Sequence, residues 1–280
     1  MTTATNPNDP LIVDAALAAR LERTEATANS RFIEARRRIS PDSNAAWIEV
    51  AGTYAMFDGP DSPCSQTFGL GINGDPTEVD LQTIESFFLD RGAAAVHHEV
   101  APLIAPELIV LLNDRGYHPI EFTSVMYRRI GPNIAMPTPR NPKMKINVAS
   151  QDQAELWAQT SASGWCEHPD MMQLILDLAQ NFAVTEGSTA MIAELDRRPV
   201  ATGVVAIAGG IALLAGASTV PDARKQGAQS ALLAQRLQFA VDQGCDIAMM
   251  CALPGSPSQR NAQRNGFHIA YTRTKWGLRN

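Results

Sequence analysis

Ser218–Leu233 has the sequence STVPDARKQGAQSALL, and this stretch decides how the fold is interpreted. Small and β-branched residues lead into Val220-Pro221, a basic turn follows at Arg224–Gly227, and the next residues are Ala/Leu-rich with helical spacing. The pattern predicts a strand, a tight turn and a helix. Cations beside a helix start are unfavourable because that end of a helix has partial positive charge, so the pattern favours an anion bound there.

Three features of this stretch together describe a phosphate site. The first helical turn has free backbone N–H groups, a glycine permits close approach of the backbone, and two side chains are basic. A structural alternative also fits the residues: Asp222 caps the helix, and Arg224 and Lys225 are solvated surface residues. A short basic glycine turn is a weak motif alone, but the downstream sequence favours the phosphate site.

Two motifs in the C-terminal half of the chain support that choice: Val220-x-x-x-Arg224-x-x-Gly227-x-Gln229 and Asn261-x-x-Arg264-x-Gly266-Phe267. Together they resemble the acyl-CoA-binding signature of the Gcn5-related N-acetyltransferases (GNAT). The resemblance covers residues 144–280 well and residues 1–135 only by pattern. The sequence departs from the family at Gln229, where Gly or Ala is usual.

The resemblance implies a cofactor site and a fold. In the family, N–H groups of the turn hold the CoA pyrophosphate and the preceding strand pairs with the pantetheine arm. The expected fold is α+β, with two tandem GNAT-like domains, each a mostly antiparallel central sheet flanked by helices. The expected acetyl-CoA contacts are Ser218, Thr219, Val220, Arg224, Lys225, Gln226, Gly227, Ala228, Gln229, Asn261 and Arg264.

The chain is long enough for two domains, with 280 residues of which 45% are hydrophobic. Residues 131–144 contain four prolines and are predicted to be a linker. We therefore expect a degenerate N-terminal GNAT-like domain over 1–130 and an acyl-CoA-binding domain over 145–280. Residues 1–140 contain eleven Arg and no Lys against eighteen acids, so the C-terminal half is the less acidic one, as a polyanion site requires.

The two halves also end alike, with Arg115-Gly116-Tyr117-His118 in one and Asn265-Gly266-Phe267-His268 in the other. The same offset in numbering places Arg224–Gln229 over Gly74–Val79, which has the sequence GDPTEV. Acids in the N-terminal copy would repel a phosphate. We expect that only the C-terminal copy binds CoA, although two unrelated α+β domains remain an alternative.

Other classes of protein and site are disfavoured. The four cysteines match neither a zinc site nor a dense disulfide framework, which favours a reduced, cytoplasmic protein. Pro199–Pro221 lacks charge and has the length of a membrane span, but Gly209-Gly210 divides it, so a buried β-hairpin is predicted. Basic residues form no long stripe for nucleic acid. His97 and His98 would point to opposite faces of a strand, and no metal is expected.

Candidate catalytic groups come from the resemblance and from the loop between two predicted helices, Ser161–Asp170. The family's frequent general acid, a tyrosine, is replaced by Ala262, and Tyr271 is the substitute, although a strand tyrosine is more often part of a core. Glu167, with Trp165 and His168, could bind and deprotonate a cationic amine, or merely favour the start of the following helix. Backbone N–H groups around Ala217–Thr219 would polarise the thioester. Cys251 is better explained as a buried thiol.

The leading functional hypothesis is an acetyl-CoA-dependent N-acetyltransferase acting on the amine of a small acceptor molecule. A tandem enzyme of the mycothiol synthase type is a narrower version of it. The alternative is a non-catalytic CoA-binding regulatory or partner module, because the usual tyrosine is missing and Gln229 departs from the motif. No nucleic-acid or membrane partner is expected.

Hydrophobic periodicity, helix-capping residues and Gly/Pro turn signals predict the helices and strands that surround the motifs. One or two helices are predicted over 11–39, a single strand over 46–57, and the main C-terminal helix over 223–243. A further helix is predicted with Asp75 as its N-cap, Pro76 at the first helical position and Glu78 at the third.

Overall fold

The computed structural model describes residues 10–139, 141–165 and 172–279, which form a mixed α/β protein with mostly antiparallel strands. Two compact units are present. The N-terminal unit contains Pro10–Tyr127 together with the chain from Cys251 onward, and the central unit contains Arg128–Met250. The predicted domains over 1–130 and 145–280 stay a prediction. The compact units follow a different division of the sequence, because the chain from Cys251 onward belongs to the N-terminal unit.

The N-terminal unit has three helices and five strands from its first segment, and a helix and a strand from the end of the chain. These are α1 (Ala15–Ile39), β1 (Ala46–Val50), β2 (Thr53–Phe57), β3 (Gln66–Phe68), α2 (Glu78–Leu89), β4 (Ala95–Val100), α3 (Pro106–Asp114), β5 (His118–Arg129), α7 (Pro257–Arg264) and β11 (His268–Arg279). The strand order is β1-β2-β3-β4-β11-β5. The last strand of the chain therefore lies between two strands of the N-terminal sequence, and it is antiparallel to both.

The central unit continues the chain with helices on a second group of strands. Its elements are β6 (Met144–Val148), α4 (Ala154–Ser163), α5 (Met172–Ala183), β7 (Ser188–Leu195), β8 (Arg198–Ala208), β9 (Ile211–Thr219), α6 (Ala228–Asp242) and β10 (Ile247–Ala252). The strand order is β10-β9-β8-β7-β6, with β9 and β10 parallel and the others antiparallel. One buried cluster joins α4 and α5 to β7 and β8 through Trp157, Ala179, Ile192 and Val204.

The uncharged segment Pro199–Pro221 forms the hairpin of β8 and β9, as predicted. Gly209 and Gly210 both have positive φ, 55° and 76°, which allows the tight connection between the strands. No helix in the described part of the chain is long and apolar enough to cross a membrane.

Two expectations about the N-terminal elements are wrong. The single strand over 46–57 is a hairpin, because Ala51 and Gly52 adopt φ of 47° and 75° and reverse the chain. The helix after Asp75-Pro76 begins two residues later than expected: Thr77 is its N-cap and Asp80, at the third helical position, completes a capping box. The segment over 11–39 is one helix, α1, whose N-cap Asp14 accepts a hydrogen bond from the Leu17 N–H at 2.8 Å.

The similar endings of the two halves have the same local geometry. Gly116 and Gly266 follow α3 and α7 with φ of 87° and 80°. The next residue of each donates its N–H back to the helix, Tyr117 to Leu112 O at 2.9 Å and Phe267 to Ala262 O at 3.1 Å. Such helix ends favour glycine because it adopts positive φ without a Cβ clash. The repeated ending therefore has a common structure as well as a common sequence.

Candidate acyl-CoA site

The turn between β9 and α6 has three distinct backbone conformations. Pro221–Ala223 is a single 3-10 turn, and Arg224 is extended with φ −62° and ψ 152°. Lys225 and Gly227 then adopt positive φ, 65° and 93°. This path delays the helix, so α6 begins at Ala228 and the predicted start at 223 is wrong. Glycine is favoured at position 227 because the backbone there is left-handed.

The start of α6 is open. Gly227 is the N-cap, and it makes no side-chain cap hydrogen bond. Without a capping side chain, N–H groups of the first turn remain available to an external acceptor. Aligned peptide dipoles also place partial positive charge at this point, which favours a phosphate.

Asp222 does not close this helix start. Its carboxylate pairs with Arg198, with 2.7 Å between Asp222 Oδ2 and Arg198 Nη2. The backbone oxygen of Asp222 accepts a hydrogen bond from Gln226 Nε2 at 2.8 Å. The structural alternative in which Asp222 caps α6 is therefore wrong.

The two cations of the turn are both exposed, but they differ in their contacts. Arg224 donates from Nη2 to the Gly164 carbonyl at 3.0 Å and from Nε to the Thr219 carbonyl at 3.4 Å. It therefore links the turn to the end of α4 and to the end of β9. The backbone of Lys225 has positive φ. A flexible ammonium group at this position is suited to a phosphate oxygen.

Gln229, the departure from the family motif, folds back onto β9. Its Nε2 donates to the Ser218 carbonyl at 2.9 Å and to Thr219 Oγ1 at 2.8 Å. Ser218 is buried and donates its hydroxyl to the Ser161 carbonyl at 2.6 Å. Gln229 thus fixes the end of the strand, a role that Gly or Ala could not have.

One edge of β9 is only partly paired. The β9–β10 ladder joins residues 211–213 to residues 247–249, whereas β9 continues to Thr219. On its other side, β9 pairs with β8 and has a bulge: Gly216 and Ala217 together oppose Gly203. Gly216 has φ of 57°, which the bulge requires. Peptide groups near the bulge and beyond the short ladder are therefore positioned to hydrogen-bond a ligand that lies along β9.

Of the predicted catalytic residues, Glu167 lies outside the described residues, as does His168. Trp165 is 46% exposed at the end of α4. Tyr271 is only 6% exposed and lies on β11 in the N-terminal unit, whereas Ser218–Gln229 lie in the central unit. Its hydroxyl donates to Glu22 Oε1 at 2.8 Å.

The surroundings of Tyr271 are those of a structural residue. Burial, followed by the charge of Glu22, raises the pKa of the phenol far above its usual value, so it is a poor proton donor. Arg273 is nearby, with Nη1 at 2.9 Å from Glu25 Oε2 and Nε at 2.9 Å from Glu99 Oε2. These residues form a buried ionic cluster that the sequence did not predict. The role of Tyr271 as a proton donor stays a prediction from the sequence.

The other residues singled out in the sequence are either exposed or at least partly buried with a hydrogen-bond partner. Asn261 and Arg264 are exposed on α7, in the N-terminal unit, and Ala262 between them is fully buried. Cys251 donates its thiol to Glu25 Oε2 at 3.3 Å, and burial raises the pKa of that thiol. His98 is buried with Nδ1 at 2.8 Å from Thr67 Oγ1. Among the described residues, no group of three or more His, Cys, Asp or Glu side chains could hold a metal ion.

Comparison with known proteins gives a family match. Residues 153–267 match the family model described as the acetyltransferase (GNAT) family. The C-terminal part of the chain therefore matches a GNAT domain, and acyl transfer from acyl-CoA is the general activity of that family. No curated protein gives a significant sequence match.

Solved structures extend the likeness over nearly the whole chain. A GCN5-related N-acetyltransferase from Kribbella flavida has a TM-score of 0.67 at 20% identity, with 93% of this chain and 95% of that chain covered. A tandem GNAT protein from the clavulanic acid biosynthesis pathway has a TM-score of 0.58 at 11% identity, covering 96% and 97%. A GCN5-related N-acetyltransferase from Sphaerobacter thermophilus has 0.55 at 15%, covering 96% and 94%. These likenesses show a fold shared with tandem GNAT proteins.

Proposed function

We propose that the protein is an acetyl-CoA-dependent N-acetyltransferase that acetylates the amine of a small acceptor molecule. The proposal rests on one observation: α6 begins at an uncapped Gly227 beside two cations, and the strand that leads into this turn, β9, has an edge that is only partly paired. The CoA pyrophosphate would bind at the N–H groups of α6, and the pantetheine arm would lie along β9. The family match at 153–267 supports this assignment.

The chemistry requires few protein groups. The amine nitrogen attacks the thioester carbonyl carbon, the C–S bond breaks, CoA leaves as the thiolate, and the nitrogen loses a proton. The protein must hold the thioester beside the amine and stabilise the oxyanion that forms on the carbonyl oxygen. Backbone N–H groups near the β9 bulge are the proposed donors to that oxygen.

Glu167 is the proposed proton acceptor, and this assignment rests on the sequence. Amines are cationic near neutral pH and must lose a proton before attack, which a carboxylate can promote. Glu167→Gln should lower turnover of a cationic amine while CoA affinity changes little, and the loss should shrink as pH rises and neutral amine accumulates. Turnover equal to wild type at every pH would remove Glu167 from the mechanism.

A second candidate function is a CoA-binding module without turnover. Two observations favour it: the position of the family's tyrosine is the fully buried Ala262, and the substitute Tyr271 is buried against Glu22. Alanine has no proton to donate, and burial, followed by the charge of Glu22, raises the pKa of the Tyr271 phenol and makes it a weak acid.

Release of free CoA distinguishes the two functions. The full chain is mixed with acetyl-CoA and a broad panel of primary amines, and the new thiol is measured. The proposed enzyme releases CoA with at least one amine and forms the N-acetyl product, and Gly227→Asp does not. Saturable acetyl-CoA binding without release on the whole panel would favour the module, and absence of binding would contradict both.

A further inference from the structure

Arg236 is an arginine in the interior of the central unit. It lies on α6 and is only 3% exposed. Among the described residues no carboxylate pairs with it, and burial alone lowers the pKa of its guanidinium to about 10. A buried cation without a counter-charge destabilises a fold relative to an apolar side chain of similar size, so packing does not explain this residue.

The contacts of Arg236 are all with backbone carbonyls. Its Nε donates to Leu232 O at 3.3 Å, within α6. Its Nη1 donates to Val204 O at 3.3 Å and to Ala215 O at 3.4 Å. Val204 and Ala215 are paired residues of β8 and β9, and the bulge begins directly after Ala215. The guanidinium therefore lies against the bulge of β9.

Gly203 provides the space for this arrangement. A Cβ atom at Gly203 would lie 3.0 Å from Arg236 Cζ and 3.1 Å from Nη1, closer than ordinary packing allows. Gly203 is also the residue that opposes Gly216 and Ala217 across the bulge. The missing side chain on β8 and the buried cation on α6 thus belong to one local structure.

The hydrogen bond to Ala215 O acts on the next peptide group. In a trans peptide the C=O and the following N–H point in opposite directions. A cation that holds the Ala215 carbonyl therefore also fixes the direction of the Gly216 N–H, which belongs to the same peptide. Hydrogen bonds in series polarise one another, so this N–H becomes a stronger donor.

We propose that Arg236 is a positioning residue for acyl transfer: its guanidinium orients and polarises the Ala215–Gly216 peptide, and the Gly216 N–H donates to the thioester carbonyl oxygen. This inference rests on the proposed function. When the amine attacks, negative charge develops on that oxygen, and the polarised donor stabilises the charge as an oxyanion-hole group does. The assigned donor is one residue before the Ala217–Thr219 segment expected from the sequence.

The test measures the bound carbonyl itself. Acetyl-CoA labelled with ¹³C at the carbonyl is bound to the full chain, and its C=O stretch is recorded by isotope-edited infrared spectroscopy without an acceptor. In wild type the stretch should lie at lower frequency than in free acetyl-CoA, because a strong donor weakens the C=O bond. Arg236→Met should move it back towards the free value, and Arg236→Lys should lie between them.

Kinetics give a second readout for the same variants. With an accepted amine, Arg236→Met should lower kcat about 10- to 100-fold, because oxyanion stabilisation is lost. KM for acetyl-CoA should change less than about threefold, because the pyrophosphate site is intact. A 10- to 100-fold rise in KM for acetyl-CoA, with kcat unaltered, would instead indicate general damage to the CoA site. That result would overturn the inference.

Two further variants keep the test decisive. Gly203→Ala retains the cation but displaces it, and it should shift the carbonyl stretch in the same direction as Arg236→Met, even if the latter folds poorly. Arg91→Met is the matched control, because Arg91 also donates to a backbone carbonyl, Phe87 O at 2.9 Å, at the end of α2. Its carbonyl stretch should equal wild type.

The outcomes separate this inference from the proposed function. If wild type does not bind acetyl-CoA, the proposed function fails and the inference fails with it. If acetyl-CoA binds and the stretch is the same in wild type, Arg236→Met and Gly203→Ala, the function stands and the role of Arg236 is wrong.

Discussion

The helix starts of α2 and α6 are a matched pair with opposite chemistry. At α2, Thr77 Oγ1 accepts the Asp80 N–H at 3.3 Å, and Asp80 Oδ2 accepts the Thr77 N–H at 2.8 Å, so the helix closes itself. At α6, Gly227 contributes no side-chain cap. An anion can replace the missing cap at α6, whereas at α2 the acceptors are already in place.

The charges beside each helix start follow the same division. Glu78 and Asp80 are in the first turn of α2, and hydrogen bonds from Thr77 lower the pKa of Asp80, so the carboxylate is favoured. Arg224 and Lys225 precede α6. A shared numbering offset and a shared strand-to-helix connection therefore do not define a phosphate site. The proposal of a phosphate site at α6 rests on the missing side-chain cap and on the two cations.

The largest expected effect comes from closing α6 with a carboxylate. Gly227→Asp should weaken CoA binding at least about 100-fold, or about 2.7 kcal/mol, because the new charge meets the pyrophosphate. Gly227→Asn is the matched neutral variant, since Asn tolerates positive φ. It should lose much less affinity in calorimetry. Equal losses in both variants would mean that shape, not charge, governs the site.

The free energy of unfolding of the N-terminal unit should depend on pH because of the buried His98. Burial lowers the pKa of His98 from 6.5 to about 3. The unfolded chain therefore binds a proton that the folded chain refuses, and stability falls as pH drops from about 6.5 towards 3, by up to about 1.4 kcal/mol per pH unit.

Urea unfolding at several pH values tests this linkage. His98→Asn retains a polar partner for Thr67 and should show a shallower loss of stability on acidification than wild type. His118→Asn, at an exposed position, is the control and should match wild type. Parallel curves for wild type and His98→Asn would show that His98 does not titrate as described.

Removing one cation of the α6 turn should have a moderate effect. Lys225→Ala and Arg224→Ala should each weaken CoA binding about fivefold, because much of the pyrophosphate is held by backbone N–H groups. The Arg224 variant should also lose thermal stability, since its bonds to Gly164 and Thr219 disappear. Salt titration of affinity provides the check: a dependence on salt unchanged in both variants would place the phosphates elsewhere.

The smallest effect is expected at Gln229. Gln229→Ala restores the usual residue type of the family and removes two hydrogen bonds to the end of β9, so the free energy of unfolding should fall by about 1 kcal/mol. CoA affinity should stay within about threefold of wild type. A large loss of affinity would instead mean that Gln229 binds the cofactor directly.

The sequence predicted the parts of the site that depend on local patterns. The strand, the basic turn and the helix follow from residues that are neighbours in the chain, and so does the β8–β9 hairpin with its two glycines. Gly227 as the N-cap was missed because Asp222, a stronger capping residue, lies nearby, and only the structure shows its pairing with Arg198.

Long-range contacts account for most of what was missed. Tyr271 has its partner Glu22 249 positions away, and no local pattern indicates that pair. The insertion of β11 between β4 and β5 is equally non-local. Arg236 resembles a solvated helix residue in the sequence, and only Gly203, on a distant strand, explains where its guanidinium fits. The hairpin at Ala51 depends on a positive φ that alanine rarely adopts.

Of the two related helix starts, only the start of α6 is proposed to bind CoA. Titration calorimetry of the full chain with acetyl-CoA tests it most directly, with Gly227→Asp as the paired variant and Asp80→Asn as the change at the other helix start. We expect one site per chain in wild type and in Asp80→Asn, and no measurable binding in folded Gly227→Asp. Two equivalent sites in wild type, or wild-type affinity in Gly227→Asp, would contradict it.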